Sequence, residues 1–163
     1  MANWEYRAAT MAEIRLLWEK NIARNPGDER WITWRDNNLA CNADGSMQTF
    51  AAIIDGEPVG EGTLIFSADC MQLGGHTELA DSIRTANING LRIEKQYEGQ
   101  GHISRMVRAM EEAARQRGIT TMTIGVEASE TRNLAIYLHW GYRRLVLHEI
   151  EDGELVLYYA KDL

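Results

Sequence analysis

The feature that most constrains this chain is a strand, a glycine turn and an amphipathic helix in direct succession. Residues 88–94 predict the strand, and the turn QYEGQGHIS follows at 96–104. A helix is predicted over 101–117, because apolar side chains recur there at the spacing of one buried helical face. These positions are Ile103, Met106, Val107, Met110 and Ala114. With another strand predicted at 120–128, the unit is a β-α-β crossover, which is nearly always right-handed and packs on a sheet.

Two glycines, Gly99 and Gly101, stand just before this helix. Such a pair serves an ordinary strand-to-helix turn, and it also lets a phosphate approach the backbone N–H groups of a helix start. The dinucleotide-binding pattern G-x-G-x-x-G fails because position 104 is serine, and the G-K-[ST] ending of a P-loop is absent. On the turn alone, both interpretations stay open.

The flanking segments predict further elements. Thr10 and Glu13 form a T-x-x-E capping box that begins a helix over residues 10–24. A weaker helix is predicted from Arg30 to about Leu39, before the helix-breaking DGS at 44–46. A β-hairpin turning at Asp55 and Gly56 comes next, then an irregular stretch at 74–86. After the crossover unit, a short helix at 131–139 and the two strands YRRLVLHEI and ELVLYYA complete the chain. This order predicts a mixed α/β layer in a single domain spanning 1–163.

Composition narrows the class of protein. The net charge of -7 argues against nucleic acid as the main partner, because phosphate backbones are bound by basic surfaces. No apolar run approaches the roughly 20 residues of a membrane span, and the N-terminus lacks a signal-peptide pattern. Cys41 and Cys70 have no metal-ligand spacing, so no metal site is predicted and both are expected to be free thiols of a reducing cytoplasm.

The charge is divided unevenly along the chain. Residues 1–85 carry 7 Lys and Arg against 13 Asp and Glu, a sum of -6, whereas residues 86–163 carry 10 against 11, a sum of -1. If each half forms one wall of a site, the first wall suits a cation and the second tolerates an anion. An acidic surface also simply aids solubility, and charge alone does not separate the two interpretations.

A second motif, NLAIYLHWGY at residues 133–142, favours the phosphate interpretation of the turn. It places Asn133 and Tyr137 four residues apart, on one face of the short helix. Taken with LRIEKQYEGQGHIS, it resembles the GNAT superfamily of acetyl-CoA-dependent N-acetyltransferases over about residues 86–142. That family typically shows R-G-x-G-x-G/A before the helix and N-x-x-A-x-x-x-Y-x-x-x-G-F after it. Here a carboxylate, Glu98, stands where Arg or Gln is usual, and Ile103 stands where Gly or Ala is usual.

The resemblance implies a GNAT-like fold, with a mostly antiparallel central sheet, helices on both faces and a central β-α-β crossover. It also implies that acetyl-CoA, the acetyl donor, lies between the strands at 88–94 and 120–128. The pantetheine arm would pair with the backbone of Leu91, Arg92 and Ile93. The diphosphate would accept hydrogen bonds from the turn, and Asn133 would hold cofactor backbone or water. The turn residues are Glu98, Gly99, Gln100, Gly101, His102, Ile103 and Ser104.

The implied chemistry is attack of a neutral amine on a thioester. By resemblance, a backbone N–H near Ile93 would stabilise the carbonyl oxygen. Tyr137 would protonate the leaving thiolate as the general acid, because a phenol of pKa about 10 matches a thiolate of similar basicity. Four side chains are open candidates for the base, and spacing favours none of them. They are Glu61, His76, Glu94 and Glu127.

The acceptor is expected to be a small-molecule or peptide amine with net positive charge, because aromatic faces and carboxylates in the first half suit a cation. Trp18 is assigned to the core by its helical stripe, while Trp31 and Trp34 are either core or pocket wall. Two alternative functions stay open. The domain could bind an acyl-CoA as a sensor with little or no turnover, or it could be an interaction protein without a cofactor. A homodimer through the last strands is a separate prediction about the oligomeric state, compatible with any of these functions. His102 and His139 are expected to be exposed and receive no side-chain role.

Overall fold

The computed structural model describes residues 1–163 and contains four helices and seven strands. The strands are β1 (Trp4–Ala8), β2 (Met47–Ile54), β3 (Glu57–Ile65), β4 (Thr85–Ile93), β5 (Thr121–Glu127), β6 (Arg144–Glu151) and β7 (Glu154–Asp162). The helices are α1 (Met11–Arg24), α2 (Arg30–Asp44), α3 (His102–Gln116) and α4 (Thr131–His139). A single 3₁₀ turn, Lys95–Tyr97, joins β4 to the glycine turn.

The strands form one sheet in the order β1-β2-β3-β4-β5-β7-β6. The β1–β2, β5–β7 and β6–β7 pairs are antiparallel, and the β4–β5 pair, the two strands joined by the crossover helix α3, is parallel. The predicted fold class, a mixed and mostly antiparallel α/β sheet with a β-α-β crossover, is therefore confirmed.

The chain divides into two compact units that share the crossover segment. The first contains residues 1–64 and 90–112, and the second contains residues 65–89 and 113–163. The single domain predicted over 1–163 stays a prediction.

In the first unit, helices cover both faces of β3. Neighbouring residues of a strand point to opposite faces. Asn21 of α1 donates hydrogen bonds to the buried carboxylate of Glu61, whereas Met106 and Met110 of α3 lie against Gly62. A Cβ at Gly62 would stand 2.7 Å from the Leu91 side chain, so a larger residue here would require that side chain to shift. The helical stripe predicted for α3 is buried at Met106, Val107, Met110 and Ala114 and half-buried at Ile103.

Local signals predicted several boundaries well. The capping box of α1 is present in full, since Thr10 and Glu13 exchange side-chain hydrogen bonds with each other's backbone N–H groups. The β2–β3 hairpin turns through Asp55 and Gly56, both with positive φ, as a two-residue turn requires. The helix predicted at 131–139 is α4.

Three expectations were incomplete. The second helix continues to Asp44 rather than ending near Leu39, and Gly45 in a left-handed conformation ends it. Strand β4 begins three residues earlier than predicted, at Thr85. The N-terminal strand β1 was not predicted, although it pairs with β2 over its whole length, from Trp4 to Ala8.

The second unit holds the parallel ladder of β4 with β5, which runs from Thr85 and Thr121 to Ile88 and Ile124. Asn87 of β4 donates a hydrogen bond to Thr123 of β5 at 3.0 Å, in the buried part of this ladder. Two residues after Ile88, Gly90 has a φ of 67°, which interrupts a regular strand.

Candidate active site

The glycine turn needs glycine for its backbone conformation. Gly99 and Gly101 have φ values of 73° and 85°, in the left-handed region that other residues rarely adopt. A Cβ at Gly99 would meet nothing within 4 Å, and one at Gly101 would meet only the Arg105 side chain, at 3.8 Å. Steric crowding therefore does not explain these glycines, whereas the shape of the chain does.

That shape leaves a run of backbone donors without protein partners. The N–H groups of Tyr97 and Glu98 donate to Glu94 and Lys95, and the N–H group of Arg105 donates to the Gly101 carbonyl oxygen. Between them, none of the N–H groups of residues 99–104 donates a hydrogen bond to a protein atom. Unpaired N–H groups and the helix dipole together make a helix start of this kind suited to an anion.

The first part of the turn lies at the surface, where Gly99, Gln100 and Gly101 are exposed. The carboxylate-bearing residue Glu98 is exposed, as the departure from the family pattern requires if an anion is to bind beside it. Ile103 is half-buried. Arg105 reaches the Gln100 carbonyl oxygen at 3.5 Å, and Arg108 reaches the Ser104 hydroxyl at 3.4 Å, so each arginine is held beside the turn by one long hydrogen bond.

The side chain of His102 differs from expectation. It was expected to be exposed, but only 6% of the residue is accessible. Its ring stacks on Trp4 with 3.7 Å between ring centroids, and its Nδ1 lies 2.7 Å from the Tyr6 hydroxyl. Burial, with a smaller contribution from the positive charge of Arg105, lowers the pKa of His102 below its usual value, so the imidazole is neutral at pH 7.

The residues predicted to pair with the pantetheine arm, Leu91, Arg92 and Ile93, form the end of β4. Leu91 and Ile93 lie against Gly62 and Gly60 of β3. Arg92 points to the other face, where its Nε donates to Glu61 at 3.0 Å and its Nη2 donates to the same oxygen. The ion pair is asymmetric, because the Glu61 side chain is 6% exposed and that of Arg92 is 36% exposed.

The tryptophans of α1 and α2 surround this arginine. The Arg92 guanidinium carbon lies 5.4 Å from the ring of Trp18 and 5.3 Å from that of Trp31, within the range of cation–π attraction. Trp31 meets Trp34 edge to face, and Arg30 lies over the Trp34 ring at 5.5 Å. The aromatic faces predicted to meet a cationic acceptor are thus in contact with the chain's own arginines. Trp18 is buried, as predicted.

Asn133 and Tyr137 belong to α4 of the second unit. Asn133 is exposed, and its amide donates to Glu130 at 2.9 Å. Tyr137 is half-buried and packs on Trp140 with 5.5 Å between ring centroids. Burial raises the pKa of the Tyr137 phenol to about 12, and the negative charge of Glu130 adds to the shift. The phenol therefore keeps its proton throughout the neutral range.

The four candidate bases have different surroundings. Glu61 is held by Asn21 and Arg92, as described above. Glu94 forms ion pairs with Lys20 at 3.0 Å and Arg24 at 3.4 Å. The other two belong to the second unit. His76 is hydrogen-bonded to Glu149 at 2.8 Å, and the side chain of Glu127, at the end of β5, forms no hydrogen bond or ion pair within the protein.

The structure contains neither a metal-ligand cluster nor a membrane-spanning helix. No group of three or more His, Cys, Asp or Glu side chains is arranged to hold a metal ion. None of the helices combines the length and the apolar character that a membrane span requires.

A family match covers the segment that contains the crossover unit, the glycine turn and the α4 motif. The model of the acetyltransferase (GNAT) family matches residues 8–142. The chain therefore belongs to the GNAT acetyltransferases, and the predicted family is confirmed. No curated protein matches the sequence.

Solved structures of acetyltransferases share the fold at low sequence identity. One is the aminoglycoside acetyltransferase AAC(6')-Ib in complex with ribostamycin and coenzyme A, with a TM-score of 0.72, 18% identity, and coverage of 98% of this chain and 93% of that chain. A second is a chimera of the spermidine N-acetyltransferase SpeG from Vibrio cholerae and hSSAT, with a TM-score of 0.71, 14% identity and coverage of 97% and 95%. A third is the PaiA N-acetyltransferase from Thermoplasma acidophilum with coenzyme A, with a TM-score of 0.64, 14% identity and coverage of 99% of each chain.

Proposed function

We propose that this protein transfers an acetyl group from acetyl-CoA to a primary amine. The observation that carries the proposal is the run of backbone N–H groups at residues 99–104 that have no protein partner, at the start of α3 in a GNAT acetyltransferase. Similar solved structures contain coenzyme A, which supports the choice of donor.

Coenzyme A fits the residues of the first unit. Its diphosphate is anionic and matches the open donors of the turn, and a backbone contact is indifferent to the side chain at position 98. The backbone of Leu91, Arg92 and Ile93 would pair with the pantetheine arm as an added strand. When bound, acetyl-CoA supplies an activated thioester, and the chain's residues orient it.

The proposed acceptor is a small amine of net positive charge. The sum of -6 over residues 1–85 supports it. Two of the similar structures also support it, since one is a spermidine N-acetyltransferase and the other an aminoglycoside acetyltransferase, and both spermidine and aminoglycosides carry several amino groups. Because Arg92 already covers the faces of Trp18 and Trp31, acidic side chains rather than these two rings are the better candidates for binding the ammonium groups.

Tyr137 is the proposed general acid. Its raised pKa of about 12 keeps the phenol protonated, so the proton is present whenever a thiolate leaves. Replacing Tyr137 by Phe removes this proton and should lower kcat by roughly a hundredfold or more, the usual contribution of a positioned acid. The loss should be independent of pH between 6 and 9, because Tyr137 does not titrate there.

The test measures release of free thiol from acetyl-CoA with a panel of cationic, neutral and anionic amines. Tyr159→Phe is the matched control, because it removes a phenol hydroxyl from β7 and should keep the rate of the unmodified protein. Reaction with anionic or neutral amines alone would overturn the proposed acceptor. Binding of coenzyme A without turnover of any amine would instead indicate the sensor function.

A homodimer through the last strands also stays a proposal. Strand β6 is at the edge of the sheet, and the hairpin β6–β7 exposes Leu145, Ile150 and Leu155. Exposed apolar side chains at a sheet edge support pairing with a second copy. Light scattering of the protein and of Ile150→Asp measures this directly, since the substitution should shift a dimer toward the monomer.

A further inference from the structure

Four aromatic side chains meet at the start of α3. Trp4 and Tyr6 come from β1, Tyr97 ends the 3₁₀ turn and His102 is the first residue of α3; these four are the aromatic cluster. Trp4 stacks on His102 at 3.7 Å and 19°, while Tyr97 meets Trp4 edge to face at 5.1 Å and 86°. The Tyr6 hydroxyl completes the cluster with its hydrogen bond to His102 Nδ1.

The aromatic cluster holds the residues on either side of segment 98–101, the part of the turn that contains both glycines. Tyr97 immediately precedes this segment, and His102 immediately follows it. Both rings contact Trp4, so β1 fixes the two points between which residues 98–101 must run. Trp4 and Tyr6 are two residues apart on one strand and therefore share a face, which lets a single short strand make both contacts.

Few other contacts hold the turn. Its two glycines have no side chains, and Glu98 and Gln100 are exposed. The Gln100 amide donates to Gln96 at 3.0 Å on the exposed surface. Ordering the backbone costs roughly 1–2 kcal/mol per residue, most of all for glycine. The conformation that leaves the N–H groups of residues 99–104 without protein partners therefore depends on what fixes the ends of segment 98–101.

We infer that Trp4 and Tyr6 are positioning residues for the diphosphate of coenzyme A. Acting through His102 and Tyr97, they hold residues 98–104 in the conformation that binds an anion, without touching the anion themselves. The inference rests on the proposed function of the turn. The neutral state of the imidazole supports it, because an uncharged ring stacks on an indole and accepts or donates one hydrogen bond without a buried charge.

The expected effect follows from the population of the ordered turn. A ligand that binds only the ordered conformation has an apparent Kd raised by the reciprocal of the ordered fraction. Loss of the Trp4 stack should raise the Kd for coenzyme A roughly three- to tenfold, given the usual strength of an aromatic pair. Loss of the Tyr6 hydrogen bond alone should raise it about two- to fivefold.

The first experiment is calorimetric titration of coenzyme A into the protein and four variants. Trp4→Leu removes the stack, Trp4→Phe preserves an aromatic ring and should restore most of the affinity, and Tyr6→Phe removes only the hydroxyl. Thr49→Val is the control, because it deletes a buried hydroxyl whose bond to Thr63 is 3.0 Å long and which is remote in sequence from the turn. It should bind coenzyme A as the unmodified protein does.

A second readout separates positioning from loss of stability. S-acetyl-N-acetylcysteamine is a thioester without a diphosphate, so its kcat/KM should be nearly the same in Tyr6→Phe and in the unmodified protein, while the KM for acetyl-CoA rises. Equal losses with both donors, or unchanged binding of coenzyme A in both Trp4→Leu and Tyr6→Phe, would overturn the inference while leaving acetyl transfer intact. Failure of the unmodified protein to bind coenzyme A would overturn the proposed function and this inference together.

Discussion

Two helix starts in the first unit solve the same physical problem in opposite ways. Every helix begins with backbone N–H groups that have no partner within the helix. At α1 the chain supplies partners itself. Thr10 accepts from the Glu13 N–H at 3.2 Å, and the Glu13 carboxylate accepts from the Thr10 N–H at 2.8 Å and from Arg7 at 2.9 Å. The start of α1 therefore has little capacity for an external anion.

At the start of α3 the chain supplies no such partners, so α3 has an open start and α1 a closed one. Gly101, which has no side chain to cap a helix, stands directly before His102, and the N–H groups of residues 99–104 have no acceptor in the protein. With glycine in place of a capping side chain, the helix forgoes roughly a few tenths of a kcal/mol of stability. The aromatic cluster offsets this by fixing the ends of the turn from outside the helix. A helix start that is to bind an anion therefore needs other contacts to order its backbone, because the side chains that would cap the helix are absent.

The largest test of this comparison distorts the open start. Gly101→Val should raise the Kd for coenzyme A roughly ten- to a hundredfold, because a left-handed valine costs on the order of 1–3 kcal/mol and each tenfold corresponds to about 1.4 kcal/mol. The turn of the variant relieves the strain by adopting another conformation. Coenzyme A must then restore the strained conformation in order to bind. Titration calorimetry measures the change.

Gly45→Val is the matched control for backbone strain. Gly45 ends α2 with a φ of 84°, against 85° for Gly101. A Cβ at Gly45 would meet nothing within 4 Å, and one at Gly101 would meet only the Arg105 side chain, at 3.8 Å. Gly45→Val should lose about as much free energy of unfolding as Gly101→Val, measured with urea. It should bind coenzyme A with the Kd of the unmodified protein. If both variants lose affinity equally, strain in the unit rather than the shape of the turn would be the cause, and the comparison would fail.

Much of the closed start was predictable from sequence, because its signals are local. The Thr10–Glu13 box lies within four residues, and the Asp55–Gly56 turn is specified by its own two residues. The same holds for α4, whose bounds match the predicted helix at 131–139. The end of α2 was missed because it depends on distant partners. The Asn42 amide bonds Asn38 and, outside the helix, Thr49 of β2.

The open start was only partly predictable. The glycine pair and the following amphipathic stripe indicated the turn and α3, but the burial of His102 depends on Tyr6, 96 residues away in sequence. Strand β1 itself was missed since five residues give too short a pattern, although the alternation of Trp4 and Tyr6 was the available signal. The Arg92–Glu61 pair likewise required knowledge of how β3 and β4 align.

A smaller test removes the cap of the closed start. Thr10→Ala should lower the free energy of unfolding by about 1 kcal/mol, the usual contribution of a threonine cap, and leave the Kd for coenzyme A unchanged. Thr131→Ala is the control, because Thr131 opens α4 and its side chain makes no hydrogen bond in the protein. Urea unfolding at equilibrium measures both variants. A weaker affinity in Thr10→Ala would show that the two helix starts are not independent.

The smallest effect separates the two starts by pH. The pKa of His102 is lowered in the folded protein by burial and by Arg105, so below its usual value of 6.5 the unfolded chain binds a proton that the folded chain resists. This contribution to stability is complete above about pH 7.5 and is lost as the pH falls through the unfolded pKa toward the folded one. At α1 the hydrogen bonds from Arg7 hold the pKa of Glu13 below its usual value, so its contribution is lost only as the pH falls below about 4.5.

Stability measured from pH 7.5 to 5.5 should therefore decline less steeply in His102→Gln than in the unmodified protein. Glu13→Gln should keep the slope of the unmodified protein over that range and flatten the curve only below about pH 4.5. Because His76, His139 and His148 are retained in both variants, the difference between the two slopes belongs to His102. Identical slopes for His102→Gln and the unmodified protein from pH 7.5 to 5.5 would mean that the buried imidazole is protonated as readily in the folded chain as in the unfolded one. A neutral imidazole would then not be a requirement of the open helix start.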